Sequence, residues 1–430
     1  MEGGTWTGSL PWCSKHWNAS NLVGLPGDEG EHLHHGSTTT LTTQPPVSTP
    51  PLAEETFHPL FRALVVIALL FVFLVGVNAL GDGFKSLGQN VLDSFFAATE
   101  NPFTALMVGI LATTLVQSSS VTTSLIVALV AAPEHALPIA NAIPMIMGAN
   151  IGTTVTNTIV SMAHMGRPDE FRRAFAVATV HDFFNFIAVA VLLPLEMMTG
   201  FLRKSATFLA SGLTGFSGVQ YESPIKGALK ATVRPIKTGL AWLFEAEQAQ
   251  ALALILIAAA LIFVALFLLV RVMRSLMQSR VESYVSVALK RSALLGILLG
   301  VMVTVMVQSS SITTALLVPL GGAGLITVSQ AFPITLGANI GTTVTALLAA
   351  LAATGVNAGA GLTIAIVHLL FNVTGTIMIY PIPAIRKIPI EGARWLAATA
   401  TRSRKWAVIY VLAIFYGVPA LFALLNQFLK

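Results

Sequence analysis

Charge is scarce in this chain of 430 residues: 10% are Asp, Glu, Lys or Arg, against 55% apolar. A soluble protein carries about a quarter of its residues as charge. A water-soluble globule is therefore excluded, and apolar surface must face lipid. The mean hydropathy of +0.78 agrees. Cysteine is nearly absent too. Cys13 stands alone, which excludes an internal disulfide and any multi-cysteine metal site. The net charge of +5 does not signal nucleic acid, because the basic residues sit in the gaps between apolar stretches.

What is present divides the chain by composition. Residues 1–58 are rich in Gly, Ser, Thr and Pro and read as a disordered polar tail. They lack the basic start and apolar middle of a signal peptide. His32, His34 and His35 in this tail are metal-ligand types, though a solvated tail is the plainer reading. From Phe57 onward the chain is apolar with short breaks. A membrane span needs ~20 apolar residues. Stretches 60–80, 139–162, 174–195, 250–270, 326–353, 361–382 and 406–426 qualify. Stretches 103–130 and 291–318 are apolar at both ends and polar in the middle. Residues 292–385 contain no Asp, Glu, Lys or Arg, and their one histidine is His368. The segment 196–248 mixes Gly, Ser, basic residues and Trp242, and periodicity does not decide its structure.

The halves on either side of that segment repeat each other. Gln117-Ser118-Ser119-Ser120-Val121-Thr122-Thr123 returns as Gln308-Ser309-Ser310-Ser311-Ile312-Thr313-Thr314. Gly148-Ala149-Asn150-Ile151-Gly152-Thr153-Thr154-Val155-Thr156 returns as Gly337-Ala338-Asn339-Ile340-Gly341-Thr342-Thr343-Val344-Thr345. Pro144 and Pro333 precede these blocks by the same spacing. His181-Asp182-Phe183-Phe184-Asn185 is matched by His368-Leu369-Leu370-Phe371-Asn372. The offsets of 191, 189 and 187 keep one order, as expected of a duplication with small deletions.

Let 103–130 and 291–318 be hairpins that enter and leave on one side. Three spans, 139–162, 174–195 and 250–270, then separate equivalent points. An odd number turns the second copy upside down. Inverted repeats with polar breaks at matching places predict a secondary transporter with its site at the repeat interface. One side collects Arg167, Arg172, Arg173, Arg271, Arg274, Arg280, Lys290, Arg291, Arg386, Lys387, Arg394, Arg402, Arg404 and Lys405. That excess predicts a cytoplasmic side, with the amino terminus inside and 196–248 outside. Seven crossings from there leave the carboxyl end outside.

The polar blocks carry the chemistry. Unpaired hydroxyls and amides in hydrocarbon cost several kcal/mol each, so they must face protein or a wet cavity. A tip at Gln-Ser-Ser-Ser would expose backbone N–H groups at a half-helix N-terminus, a neutral anion cradle. Helix glue by small hydroxyl residues is the alternative. In the Gly-Ala-Asn-Ile-Gly blocks, glycine permits unwinding. Freed carbonyls with the oxygens of Asn150, Asn339 and neighbouring threonines suit Na+. A Gly/Thr packing face is the alternative. Asp182 is the one charged residue between Ala174 and Leu195 and, inside a span, marks a cation or proton site. A carboxylate satisfied by His181, Arg172 or Arg173 is its plainer reading. Leu369 is its counterpart, so the charge exists in one copy. His181 and His368 read as hydrogen-bonded packing residues rather than ligands. With no Lys or Arg in the repeat blocks, a bound anion needs accompanying cations.

These residues resemble the type II sodium-dependent phosphate cotransporter family. The likeness runs over about residues 60–425 and rests on both Gln-Ser-Ser-Ser blocks, both Gly-Ala-Asn-Ile-Gly blocks, Phe171-Arg172-Arg173-Ala174-Phe175-Ala176, Thr179-Val180-His181-Asp182, and Phe371-Asn372 leading to Tyr380-Pro381-Ile382-Pro383. It implies sodium-driven uptake of inorganic phosphate, with Gln117, Ser118, Ser119, Ser120, Gln308, Ser309, Ser310 and Ser311 at the phosphate site. It implies sodium positions at Thr158, Asn185 and Thr342, an aspartate at Asp182 as in electrogenic members, and both termini inside. His164 and Arg167 depart from the family's Gln and Asp, and Ala338 stands where serine is common. The short 196–248 loop is similar to that of a microbial member.

The expectation is an all-α polytopic membrane protein of two inverted repeats with paired broken-helix hairpins. Its parts are a tail (1–58), a first repeat (59–195), an external linker (196–248), a second repeat (249–385) and a basic loop with a last helix (386–430). It is expected in the cell membrane as a sodium–phosphate symporter rather than an enzyme. Expected partners are phosphate, Na+ and the bilayer, without nucleic acid, cofactor or transition metal. A same-fold symporter for another oxyanion or coupled to H+, a channel, and an intramembrane serine hydrolase using Ser119 or Ser310 are the alternatives. The last lacks a Gly-x-Ser-x-Gly elbow.

Overall fold

The computed structural model describes residues 59–86, 99–133, 136–215, 224–288, 292–353 and 356–428. The tail reading for 1–58, with Cys13, His32, His34 and His35, lies outside them. Among the described residues every regular element is helical. In chain order these are α1 (Pro59–Ser86), α2 (Pro102–Val116), α3 (Ser119–Val130), α4 (Ile139–Thr153), α5 (Val155–Met162), α6 (Pro168–Thr199), α7 (Phe201–Gly215), α8 (Pro224–Leu243), α9 (Glu247–Ala288), α10 (Ala293–Val307), α11 (Ser310–Ala315), α12 (Leu317–Gly322), α13 (Val328–Ala352), α14 (Ala358–Ile379), α15 (Pro383–Arg402), α16 (Lys405–Leu412), a π-helical turn (Ala413–Gly417) and α17 (Val418–Phe428).

Among the described residues five stretches are long and apolar enough to cross a membrane: Pro168–Thr199, Glu247–Ala265, Val328–Ala352, Ala358–Ile379 and Lys405–Phe422. The first and third are 72% buried, whereas Glu247–Ala265 is 28% and Lys405–Phe422 22% buried. So α6 and α13 are central, and α9 and the last helix are peripheral. The peripheral helix α9 turns large apolar side chains such as Leu256, Phe263 and Phe267 outward. In water this would drive aggregation; in a bilayer it is the required surface. The chain is a multi-pass membrane protein.

The polar-centred stretches are hairpins. Helices α2 and α10 have 15 residues each, ~22 Å of helix and short of a ~30 Å core. In the second hairpin the Thr304 hydroxyl donates to the Thr313 hydroxyl at 2.8 Å. Residues nine apart in one straight helix stand ~13 Å apart, so the chain reverses between them. The expected span 139–162 is two helices instead, α4 and α5, interrupted at Thr154.

Glycine lets each hairpin dock. Helix α2 lies against α4, and α10 against α13. A Cβ built on Gly148 would fall 2.1 Å from the Leu106 carbonyl oxygen, and one on Gly337 2.0 Å from that of Ile297. Gly109 and Gly300 approach Met145 and Ile334 in the same way. Close approach, not unwinding, is therefore the use of these glycines in the second copy, where α13 runs unbroken through Gly337 and Gly341. Helix–helix contact with no solvent-driven hydrophobic term relies on such short backbone distances.

The segment 196–248 contains α7 and α8. Leu202, Ala206 and Ala210 form a buried stripe on α7, spaced one helical turn apart, and that helix packs on α14. Leu229, Val233 and Leu240 do the same for α8 against α1 and α9. Helix α15 buries Ile390, Ala393, Leu396 and Ala397 against α6.

Gly148→Ala and Gly337→Ala should each destabilise the protein by ~2 kcal/mol or more, since even one methyl forces the facing backbone apart. Gly359→Ala, with nothing within 4 Å of its Cβ, should be neutral or better. Thermal melting of purified variants, read as loss of the monodisperse peak, checks the contrast.

Candidate functional site

Each hairpin tip is built from the same local devices. Gln117 and Gln308 end their helices in the left-handed region, at φ 57° and 56°. That conformation costs a non-glycine residue about 1 kcal/mol. The glutamine side chain offsets it. Its Nε2 donates to a carbonyl of the last turn, Thr114 or Val305, satisfying an otherwise orphaned acceptor. Its Oε1 accepts the hydroxyl of Thr156 in one copy and Thr345 in the other, both at 3.0 Å. Both amide ends thus anchor the tip to the neighbouring helix.

The next residue starts the returning helix. Ser118 and Ser309 are extended N-caps whose hydroxyls accept from the backbone N–H of Val121 and Ile312. Ser119, Ser120 and Ser310 are buried, and Ser311 is half-buried. The tips meet the opposite copy. The Ser120 hydroxyl donates to Thr345 at 3.5 Å. Asn157 Nδ2 donates to the Thr314 hydroxyl at 2.7 Å, which in turn faces Asn157 Oδ1 at 3.0 Å. Twin serine tips facing opposite acyl chains would make no such contacts.

Beneath the tips lies a ladder of buried amides. Asn150 Oδ1 accepts from Asn372 Nδ2 at 3.2 Å, and Asn185 Oδ1 accepts from Asn339 Nδ2 at 3.1 Å. Asn150 and Asn339 are repeat counterparts, as are Asn185 and Asn372. Each core asparagine therefore pairs with the other copy's partner, a crossed arrangement with two-fold character. Asn185 Nδ2 also donates to the Asn150 carbonyl at 3.1 Å. His181 completes the chain. Its Nε2 faces Asn339 Oδ1 and its Nδ1 faces Asn157 Nδ2 at 3.5 Å. A proton on Nε2 satisfies both contacts with neutral groups, so the ring needs no charge. Its counterpart His368 is buried, and its Nδ1 has no hydrogen-bond partner among the described residues.

Asp182 sits beside this ladder, 0% exposed. Neither His181, Arg172 nor Arg173 satisfies it. Arg173 donates instead to the Gly322 carbonyl from Nε and a terminal nitrogen, at 2.9 and 2.7 Å. The carboxylate takes the Tyr410 hydroxyl on Oδ2 at 2.6 Å and the Thr158 hydroxyl at 3.5 Å. Oδ1 is buried without a hydrogen-bond partner among the described residues. An under-satisfied carboxylate oxygen with hydroxyl oxygens near it is a hard donor set for a small cation.

Of the anticipated residues, the structure brings Asn150, Asn185 and Asn339 into one network and places Thr158 on Asp182. The Thr342 hydroxyl donates to Ala338 on its own helix at 2.9 Å. Asn157, Thr314, Asn372 and Tyr410 were not anticipated as site residues. Asn157 was readable, because Thr154, Asn157, Thr158 and Ser161 mark one buried polar face of α5. Tyr410 was not. It comes from the last helix, outside both copies, just before the π turn, a feature frequent at functional sites.

Tyr410→Phe should lower stability by ~1–3 kcal/mol, the cost of leaving a buried acceptor short of a donor. Combined with Asp182→Asn it should add much less than the sum. A double-mutant cycle of melting temperatures measures that coupling, and strict additivity would contradict the contact.

The family model described as Na+/Pi-cotransporter matches residues 72–220 and 261–385, one stretch over each Gln-Ser-Ser-Ser block. Sodium-dependent phosphate transport protein 2A of Ovis aries is 34% identical over 439 residues, covering 84% of this chain and 67% of its own length. Sodium-dependent phosphate transport protein 2B of Homo sapiens is 30% identical over 518 residues, covering 96% and 75%. No solved structure matches the chain. The chain belongs to the Na+/Pi-cotransporter family, a family of transporters and not of enzymes.

Proposed function

We propose that this family member carries inorganic phosphate inward with Na+, as a gradient-driven symporter of the cell membrane. The observation that carries this reading is that each Gln-Ser-Ser-Ser tip bonds to the helix following the other copy's tip, Ser120 to Thr345 and Thr314 to Asn157, in blocks without Lys or Arg. Phosphate binds between the tips. The N-terminal N–H groups of α3 and α11 and the hydroxyls of Ser118, Ser119, Ser120, Ser309, Ser310 and Ser311 are the donors, all neutral. Gln117 and Gln308 hold the tips in shape, since their amides are already engaged.

A multiply charged anion held only by neutral donors loses more hydration than it recovers. Asp182 adds a further negative charge nearby. Cations supply the balance, which ties phosphate binding to Na+ without any separate coupling device. Asp182 and Thr158 take one Na+, and the oxygens of Asn150, Asn185 and Asn339 offer a second neutral set. The copies 59–195 and 249–385 act as inverted halves, joined by 196–248 on the outside, with the amino terminus cytoplasmic. Alternating access moves one half against the other about the crossed asparagine pairs. That crossed pairing and the matched tips support an interface of this kind.

Radiolabelled phosphate uptake into proteoliposomes should saturate and collapse when choline replaces Na+. Uptake that persists in choline with an inward proton gradient would assign the coupling to H+. Ser119→Ala and Ser310→Ala should each raise the phosphate KM about tenfold, the loss of one hydrogen bond to a charged group, with expression intact. Asp182→Gly should keep phosphate flux and lose net charge movement. Unchanged currents in that variant would refute the cation role.

A further inference from the structure

A second anion-ready site lies away from the tips. A cleft of about 370 Å³ opens where α6 begins, between α15 and the turn that leads into α13. Its volume is within the range of small-ligand pockets, roughly 300–1,000 Å³. Arg172 and Arg173 reach it from α6 and Arg394 from α15, against Asp169 as the lining's one acid. Arg173 is held in place by its two bonds to the Gly322 carbonyl, and Arg394 by a 2.6 Å ion pair to Glu391. Arg172 has no ion-pair partner among the described residues. The cleft also meets the start of α13, where Thr327 and Gln330 form a reciprocal cap. The positive end of that helix adds to the field of the guanidinium groups.

Two features say what kind of anion fits. The rest of the wall is apolar, including Val177, Ile326 and Ala397. A free phosphate ion would leave this wall bare, whereas an amphiphile would cover it. Arg172 and Arg173 also stand within the first turns of a membrane-crossing helix that begins at Pro168, the depth of lipid headgroups. Basic pockets between membrane helices at that depth suit anionic lipid heads. We propose that this cleft binds the headgroup of an anionic phospholipid. The phosphodiester lies across Arg172 and Arg394, and the glycerol and upper chains lie along Val177, Ile326 and Ala397. The bound lipid bridges α6, α15 and the turn below the second hairpin, which Arg173 already ties to α6. The inference rests on the membrane placement of α6 and not on which solute the tips carry.

The test is lipid retention by the full chain, purified in mild detergent with phosphatidylglycerol or phosphatidylcholine and read by native mass spectrometry. Wild-type protein should retain phosphatidylglycerol over phosphatidylcholine, and millimolar inorganic phosphate should not displace it. Arg172→Gln/Arg394→Gln should lower that retention at least about tenfold, in line with the attraction of each basic residue for an anionic leaflet. Arg404→Gln, outside the cleft, should leave it unchanged. Should the double variant fail to fold, Arg172→Glu alters one exposed side chain and should show the same loss. Equal retention by wild type and variants overturns the proposal. Displacement of the lipid by inorganic phosphate overturns it too, and would make the cleft a free-phosphate site.

Discussion

Everything in this molecule depends on satisfying polar groups inside a bilayer without using charge. Hydrocarbon offers no water to an exposed amide or hydroxyl, so each must find a protein partner. Threonine hydroxyls turn mostly to carbonyls of their own helix, and the core amides find partners in the other copy of the repeat. Asn150 with Asn372, Asn339 with Asn185, Asn157 with Thr314 and Ser120 with Thr345 join the halves. None of these side chains carries charge, so the seam can rearrange without separating an ion pair in a low dielectric. Neutral hydrogen bonds between membrane helices contribute about 0.6–2 kcal/mol each. That is enough to hold one arrangement and little enough to exchange it for another.

The two copies perform the same local construction with unequal detail. The glutamine, the serine cap and the threonine anchor repeat almost atom for atom. The asymmetry lies in the charged position. Asp182 has Leu369 as its counterpart, and its firmest contact comes from Tyr410, which neither copy supplies. The helix that carries Tyr410 is 22% buried over its membrane window, yet it reaches the most buried carboxylate. An addition outside the duplication thus serves a charge that the second copy lacks.

Much of this was readable from the residues. One nine-residue identity and two shorter matches at a nearly constant offset gave away the duplication, and the scarcity of charge gave away the membrane. The hairpins followed from polar tips inside apolar arms. Other features were closed to a sequence reading for physical reasons. Whether Gly337 unwinds a helix or admits a neighbour depends on the carbonyl of Ile297 facing it, and no local pattern encodes that neighbour. The expected span 139–162 divides at Thr154 within a block whose copy in α13 stays helical, so the difference comes from packing. Thr342 keeps its hydroxyl on its own helix, a common fate for threonine in an apolar helix. The stripes of α7 and α8 were present at turn spacing, but basic and small residues between them obscured the period.

The claim at the centre is that a neutral cradle tolerates phosphate only in the company of cations. Binding linkage tests it without the complications of flux. Calorimetric titration of phosphate into the purified protein should show no binding in choline and clear binding in Na+. By reciprocity, phosphate should tighten Na+ binding by the same factor. A phosphate affinity that is equal in choline and Na+ would contradict the account.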